Sequence, residues 1–318
     1  MIFSILLLMA AEPSELTYAA GYIPNIQFAP FYVAQARGYY RSEGIVLTLD
    51  YTIGPDVFKL VALGRAHMGS ADPDAFLNAS ARGLPLTHVA TLYQSYPIAL
   101  ISKQPILDGR QLKGKRIGIS GAYGSSYLGL KAILAEMGLS LADIRLAVIG
   151  YTQVTALRQD RVDAVVGYAN NEPILLQQQG QQVYVRTLGA NRSLPGVGLM
   201  TSREFQQKNP QLVAGFLRAS FKGMHDIIQD PQACFELVME HYLPELRGED
   251  AKPVQFGILS ATLPYWQSDY VRARGFGQAD PRSWQNLADF MNRDQPGQTF
   301  DQWKQWVDAS FFWRPPSP

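Results

Sequence analysis

The sequence predicts an α/β protein of two lobes with a helical tail, and three observations carry that reading. Strand-like and helix-like segments alternate from Glu15 onward. The same alternation restarts after "QPILDGRQLKGK" as a second copy of the first. From Glu204 to the end the chain turns predominantly helical. A length of 318 residues agrees, since it exceeds the usual single domain and accommodates two of roughly 100 to 200 residues.

In the first copy "ELTYAAGYI" reads as a strand, "QFAPFYVAQARGYYRSEG" as one helix closed by Gly44, and "IVLTLDYTI" as the next strand. "PDVFKLVALG" follows as a helix, with Pro55 at its start and Gly64 at its end in the expected order of terminators. "AHMGSAD" is a short strand, "PDAFLNASARG" a helix, and "LTHVATLY" and "YPIALISK" are two further strands. The second copy runs "RIGIS", "GSSYLGLKAILAEMG", "IRLAVIG", "VTALRQDR", "VDAVVGY", "EPILLQQQG" and "VYVRTL", strand and helix in turn. "VGLMTS" then supplies a last strand. The layout reads as parallel, because helices separate most of the strands. The tail has no strands of its own after that, so it must pack on the first lobe. Two crossings are expected, near residues 102–115 and 189–196. Lobe one is then 15–104 with 194–318, and lobe two is 105–193.

Composition removes several function classes. Hydrophobic residues make up 47% and charged residues 17%, with a net charge of +1, which favours neither disorder nor a nucleic-acid partner. Cys234 is the only cysteine, so an internal disulfide and a cysteine-rich metal site are excluded. The run Ile2 to Ala11 is too short for the roughly 20 residues of a membrane span but fits the hydrophobic part of an export signal over residues 1–14, although no basic segment precedes it. An extracytoplasmic location is the corresponding expectation.

Open α/β sheets bind ligands beyond the carboxyl ends of their strands, so the strand exits are the places to search. They are "GYIPN", "SADPD" and "YQSYP" in lobe one and "SGAYGSS", "GYTQV" and "GYANNEP" in lobe two. Five of these six contain a tyrosine, and their only charges are Asp72, Asp74 and Glu172. Tyr22, Asn25 and Phe28 sit where the first strand gives way to a helix and can touch a ligand, whereas Tyr39 and Tyr40 read as core. Tyr96 lies in the third exit and Tyr151 in the fifth. Tyr123, Ser125 and Ser126 accompany glycines at a strand-to-helix turn, offering hydroxyls beside free N–H donors, or simply a cap. Tyr168, Asn170, Asn171 and Glu172 gather donors and acceptors in one small volume, suited to the polar edge of a heterocycle. Asp72 and Asp74 read equally as a cap for the helix after Pro73.

Catalytic patterns are weak. His67, His88, His225 and His241 lack metal-site spacing, no nucleophile elbow occurs, and no dinucleotide or P-loop fingerprint accompanies the glycines of "SGAYGSS". No metal and no cofactor is expected.

Four segments together, "GYIPNIQFAPFYVAQARGYYRSEGI", "LVALGRAHMGSAD", "LKGKRIGIS" and "ALRQDRVDAVVGYANNEP", resemble the NMT1/THI5-like (SsuA/THI5-like) solute-binding proteins of ABC importers, in register over residues 16–221. The resemblance implies a type II periplasmic-binding-protein fold that closes over one small molecule and hands it to an ABC permease and its ATPase, with the membrane met only through that transporter or an anchor. The "YANNEP" stretch looks more like the vitamin-type members than the sulfonate binders, and lobe one offers no Arg or Lys at a strand exit for a sulfonate. The expected ligand is an aromatic N-heterocycle, riboflavin or a thiamine pyrimidine precursor, with the tyrosines leaning toward the flavin. Some relatives are pyrimidine-synthesising enzymes that use a pyridoxal cofactor and iron; this chain lacks their cysteine-rich motif, which leaves His67 as that reading's support. A ligand-binding sensor is a further alternative. No lipobox cysteine supports an anchor.

Overall fold

The computed structural model describes residues 12–53, 56–189, 194–246, 248–278 and 280–315. All but the last three residues of the expected leader fall outside them.

Two five-stranded sheets form the two lobes. The first is built from β1 (Ser14–Gly21), β2 (Ile45–Ile53), β3 (Met68–Ala71), β4 (Leu86–Thr91) and, far along the chain, β10 (Gly198–Ser202), in the order β2-β1-β3-β10-β4. The second holds β5 (Ile98–Ser102), β6 (Arg116–Ile119), β7 (Arg145–Val148), β8 (Ala164–Tyr168) and β9 (Tyr184–Thr187), ordered β7-β6-β8-β5-β9. Position in the sheet explains the residue pattern of each strand. At the edge of its sheet, β2 begins by alternating, with Ile45 and Leu47 buried and Val46 exposed. β4 and β5 are buried along their whole length: β5 reads as a near-continuous apolar run, whereas β4 buries Thr87, His88 and Thr91 among its apolar residues, its edge covered by the tail at Val307.

Three expectations need correction. The sheets are mixed, because β10 runs antiparallel to β3 and β4, and β5 runs antiparallel to β8 and β9. β5 and β10 are the strands laid down immediately after each crossing, so both enter their new sheet against its direction. The first crossing also comes earlier than expected: "YPIALISK" pairs Ile98 with Tyr168 and Ser102 with Ala164 in the second sheet, which places the crossing at 92–97. Six residues can join two strands of one sheet or of two, and the apolar pattern is the same in both cases. The single helix expected before Gly44 is broken into Ala29–Ala36 and Tyr39–Ser42 by Gly38, whose φ of 71° lies in the left-handed region that glycine alone enters without strain.

The crossings run side by side. Leu92 and Tyr93 N–H groups donate to the Val197 carbonyl at 3.0 and 2.9 Å, and Gly196 N–H returns to the Tyr93 carbonyl at 2.9 Å. This pair of segments is the hinge geometry of the fold.

The tail covers lobe one in two places. Helix Pro210–Gln229 lies on Ala29–Ala36, where Phe216 meets Phe31 and Tyr18 at ring distances of 6.1 and 5.7 Å and Ser220 meets the buried Tyr40 hydroxyl at 2.7 Å. Helix Pro281–Asp294 sets Trp284 against Phe76 and His88, at ring distances of 6.4 and 4.8 Å. The tail also reaches lobe two: Lys131 of helix Gly124–Glu136 donates to Asp294 Oδ1 at 2.6 Å.

Candidate ligand-binding site

The exit of β3 turns directly into helix Pro73–Ala81, with Asp72 at the turn and Asp74 in the first helical turn. Across the cleft, β6 ends in a loop that opens helix Gly124–Glu136, with Ser125 at its start. The two exits meet. Ser125 Oγ donates to Asp74 Oδ1 at 2.9 Å, and the hydroxyl of Tyr96, on the hinge, approaches the same oxygen at 3.4 Å. Asp74 is buried, with 3% of its surface exposed, and Asp72 is partly buried beside it.

Burial dominates the electrostatics here. It raises the Asp72 carboxyl to about 7, the negative charge of Asp74 adding to the effect while a hydrogen bond from Ser125 opposes it. Asp74 is likewise raised by burial, against the bonds from Ser125 and Tyr96. Tyr96 and Tyr168 are pushed well above the ordinary phenol range by burial and then by Asp72 and Asp74. Glu172 is raised by burial as well.

The exit of β8 supplies the amides. Glu172 folds back to accept the Tyr168 N–H at 2.7 Å, and its carboxyl lies over Gly167. A Cβ on residue 167 would stand 2.8 Å from Glu172 Cδ and Oε2, so a larger residue there would push the Glu172 carboxyl off the Tyr168 N–H. Asn170 is fully buried and donates from Nδ2 to Thr262 Oγ1 at 2.8 Å, tying lobe two to the end of helix Ala251–Thr262 in the tail. Its Oδ1 is buried without a hydrogen-bond partner among the described residues. Such an acceptor costs about 1–3 kcal/mol unless a donor reaches it.

Tyrosines form the mouth. Tyr22, after β1, and Tyr151, after β7, face each other across the lobes with ring centroids 6.2 Å apart and planes at 58°. Tyr22 is 36% exposed, and Tyr151 and Tyr123 are each 66% exposed. Burial raises the Tyr22 hydroxyl first, with Glu172 and Tyr151 adding to it; burial raises Tyr151 too, with Tyr123 and Asp72 adding. These influences place Tyr22, Asp72, Tyr123, Tyr151, Tyr168 and Glu172 in one neighbourhood.

Other residues singled out in the sequence have local contacts. Asn25 Oδ1 accepts the Gln27 N–H at 2.9 Å and caps a short turn. Phe28 is half-buried and packs 6.3 Å from the Tyr51 ring. Ser126 is partly buried one residue beyond the Asp74 contact, and Asn171 is the residue before helix Glu172–Gln178. His67 stands at the start of β3, not at its exit: Nδ1 accepts the Thr17 N–H at 2.9 Å and the ring lies 4.9 Å from Phe205. Sequence reasoning missed Tyr93 and Thr262. Tyr93 is buried, stacked on Tyr265 at 6.0 Å, and its hydroxyl is influenced by hydrogen bonding with Thr262, Asn170 and Trp266. The signal was the "LPYWQ" turn, a Tyr-Trp pair beside a proline in a tail that otherwise reads as covering helices. Among the described residues, no group of three or more His, Cys, Asp or Glu could hold a metal, and no helix is long and apolar enough to cross a membrane.

Comparison with known proteins then places the chain. The family described as NMT1/THI5 like matches residues 25–234. The chain belongs to the NMT1/THI5-like family. It is 37% identical over 288 residues to the riboflavin-binding protein RibY of Chloroflexus aurantiacus, spanning 88% of this chain and 82% of that protein. It is 28% identical over 274 residues to a 4-amino-5-hydroxymethyl-2-methylpyrimidine phosphate synthase of Legionella pneumophila, covering 83% of each. In fold it resembles the periplasmic aliphatic sulphonate binding protein SsuA of Escherichia coli, with a TM-score of 0.70, 16% identity and 96% of both chains covered. The two-lobed α/β architecture is thus that of the periplasmic binding proteins.

Proposed function

We propose that this chain is the extracytoplasmic solute-binding protein of an ABC importer and that its ligand is an aromatic N-heterocycle of vitamin type, riboflavin in the first place. The observation that carries the reading is the convergence at the cleft: Asp74 from lobe one, Ser125 from lobe two and Tyr96 from the hinge share one carboxylate oxygen, under a mouth of facing tyrosines. A ligand that touches both lobes stabilises the closed arrangement by its differential contacts, and the paired segments 92–97 and 194–197 supply the hinge. Tyr22 and Tyr151 offer ring faces to a flat guest. Asp72, Asp74, Glu172 and Asn170 accept hydrogen bonds from its N–H and O–H groups. None of these groups is poised as a nucleophile, so the ligand is held and released unchanged to a permease and its ATPase. The relative named as a riboflavin-binding protein supports the flavin over a pyrimidine.

The synthase relatives raise a catalytic alternative, whose candidate residue here is His67. That histidine is occupied by Thr17 and Thr201, which donates to the His67 carbonyl at 2.7 Å, and burial lowers its pKa; these contacts support a structural role. The deciding measurement is a titration with riboflavin followed by quenching of flavin fluorescence. Saturable, stoichiometric quenching is expected; its absence, together with no shift in melting temperature by riboflavin or by aminopyrimidines, sinks the reading.

A further inference from the structure

Lobe two meets the tail along a narrow strip whose residues are spaced as one helical face. Asn170, Ile174 and Gln178 recur at every fourth position through the turn after β8 and helix Glu172–Gln178. Their counterparts on helix Ala251–Thr262 and its N-cap are Thr262, Gly257 and Asp250, met in the opposite chain direction. Asn170 Nδ2 donates to Thr262 Oγ1 at 2.8 Å, Ile174 packs over Gly257, and Gln178 Nε2 donates to the Asp250 carbonyl. The two segments thus lie antiparallel in a fixed register.

Each pairing depends on the residue type that makes it. Thr262 Oγ1 gives its own hydrogen to the Ile258 carbonyl at 2.7 Å, which leaves its lone pairs for the Asn170 amide, and both side chains are fully buried. A Cβ on residue 257 would stand 3.2 Å from Ile174 Cγ2, so even alanine would crowd that contact. Glycine is a poor helix former, and close approach to Ile174 is what it provides here. On its other side the same helix buries Val254, Ile258 and Leu259 in the core of lobe one, against which Ile174 and Leu175 of lobe two also pack. The helix belongs to lobe one by one face and grips lobe two by another.

Resting on the reading of this chain as a hinged solute-binding protein, we propose that this strip is the latch of closure, in which Thr262 and Gly257 are positioning residues that set ligand affinity by holding lobe two against the tail. Opening about the hinge parts the strip, uncovers Ile174 and breaks both amide hydrogen bonds. A guest that needs the closed arrangement binds in proportion to the fraction of molecules that hold it, so the latch enters the affinity directly. Asn170 is its lobe-two end: with Nδ2 committed to the tail, the amide is held in one orientation, and Oδ1, which has no partner among the described residues, is left for a donor.

The test uses the full chain, with riboflavin as probe by fluorescence quenching and small-angle scattering of the unliganded protein. Thr262→Val keeps the side chain's shape and removes the acceptor, so that closure buries Asn170 Nδ2 unpaired; affinity is expected to fall about tenfold and the radius of gyration to rise. Thr262→Ser restores the acceptor and is expected to stay within about threefold of wild type. Gly257→Leu favours the helix itself but wedges Ile174 away, and it is expected to weaken binding about tenfold or more, a loss that Ile174→Ala in the same chain largely recovers. Either variant stands in for the other if one does not fold by circular dichroism. A contact that serves only to stabilise the tail predicts a lower melting temperature with unchanged scattering and affinity, and that result overturns the proposal. So does a Thr262→Ser variant as weak as Thr262→Val. If wild-type protein does not bind riboflavin, the flavin assignment falls by itself and scattering decides the latch: a larger radius of gyration in the variants upholds it, and an unchanged one overturns it.

Discussion

At the scale of single residues, the cleft is organised by groups that are costly to bury and are buried nonetheless. Burial, with the charge of Asp74 added, raises the Asp72 carboxyl to about 7. Between pH 4 and 7 the folded protein therefore holds a proton that the unfolded chain has released, so this group makes stability fall as pH rises through that window. His88 acts in the opposite sense. Fully buried with both ring nitrogens unpartnered among the described residues, it is lowered to about 3, so below about pH 6.5 the unfolded chain takes up a proton that the folded one refuses. Its contribution is lost as pH falls. Thermal melts of Asp72→Asn across pH 4 to 8 should lose the decline toward pH 7 and keep the decline toward pH 4; an unaltered profile would contradict the assignment. Gly167→Ala is expected to displace the Glu172 carboxyl and cost about 0.5–1.5 kcal/mol through its lost bond with the Tyr168 N–H, read as a lower melting temperature together with weaker ligand binding. The aspartates, the tyrosines and the "NNE" run were legible as polar strand exits, since a side chain at an exit needs no partner to be named. Which of them would meet was not legible, because Asp74 and Ser125 lie 51 residues apart.

At the scale of elements, the strand pattern could be followed residue by residue. "IVLTLDYTI" is β2 from end to end, and "RIGIS", "VDAVVGY" and "VYVRTL" contain β6, β8 and β9. Apolar runs bounded by glycine and proline specify strands locally. Failures came where a neighbour rather than the local pattern decides. The helix before Gly44 looked continuous because Gly38 costs only about 1 kcal/mol in a helix, and packing against Pro210–Gln229 settles which conformation it adopts. "YPIALISK" looked like another strand of the first sheet, but its partner is Ala164–Tyr168 of the second. The Lys131 to Asp294 pair joins an element of lobe two to the tail helix that packs on lobe one, with side chains 20% and 17% exposed. Lys131→Met should loosen closure: small-angle scattering of the unliganded variant is expected to give a larger radius of gyration, and ligand affinity to fall about 3- to 10-fold. Identical scattering and affinity would remove that pair from the closure mechanism.

At the scale of the whole molecule, the two sheets, the doubled crossing and the tail bring the polar strand exits of both lobes face to face. The sequence by itself determined the number and kind of elements, the repeat of the α/β pattern, the family and the acidic, tyrosine-rich character of the strand exits, because each of these depends on residues close together in the chain. Only the tertiary structure decided that Asp74, Ser125 and Tyr96 share one contact, that Asn170 is held by Thr262 of the tail, and that His67 is tied to the strand beside it. Those facts depend on where the chain crosses between sheets and on which faces pack together. Burial energies of distant segments fix both, and no local spacing of residues encodes them.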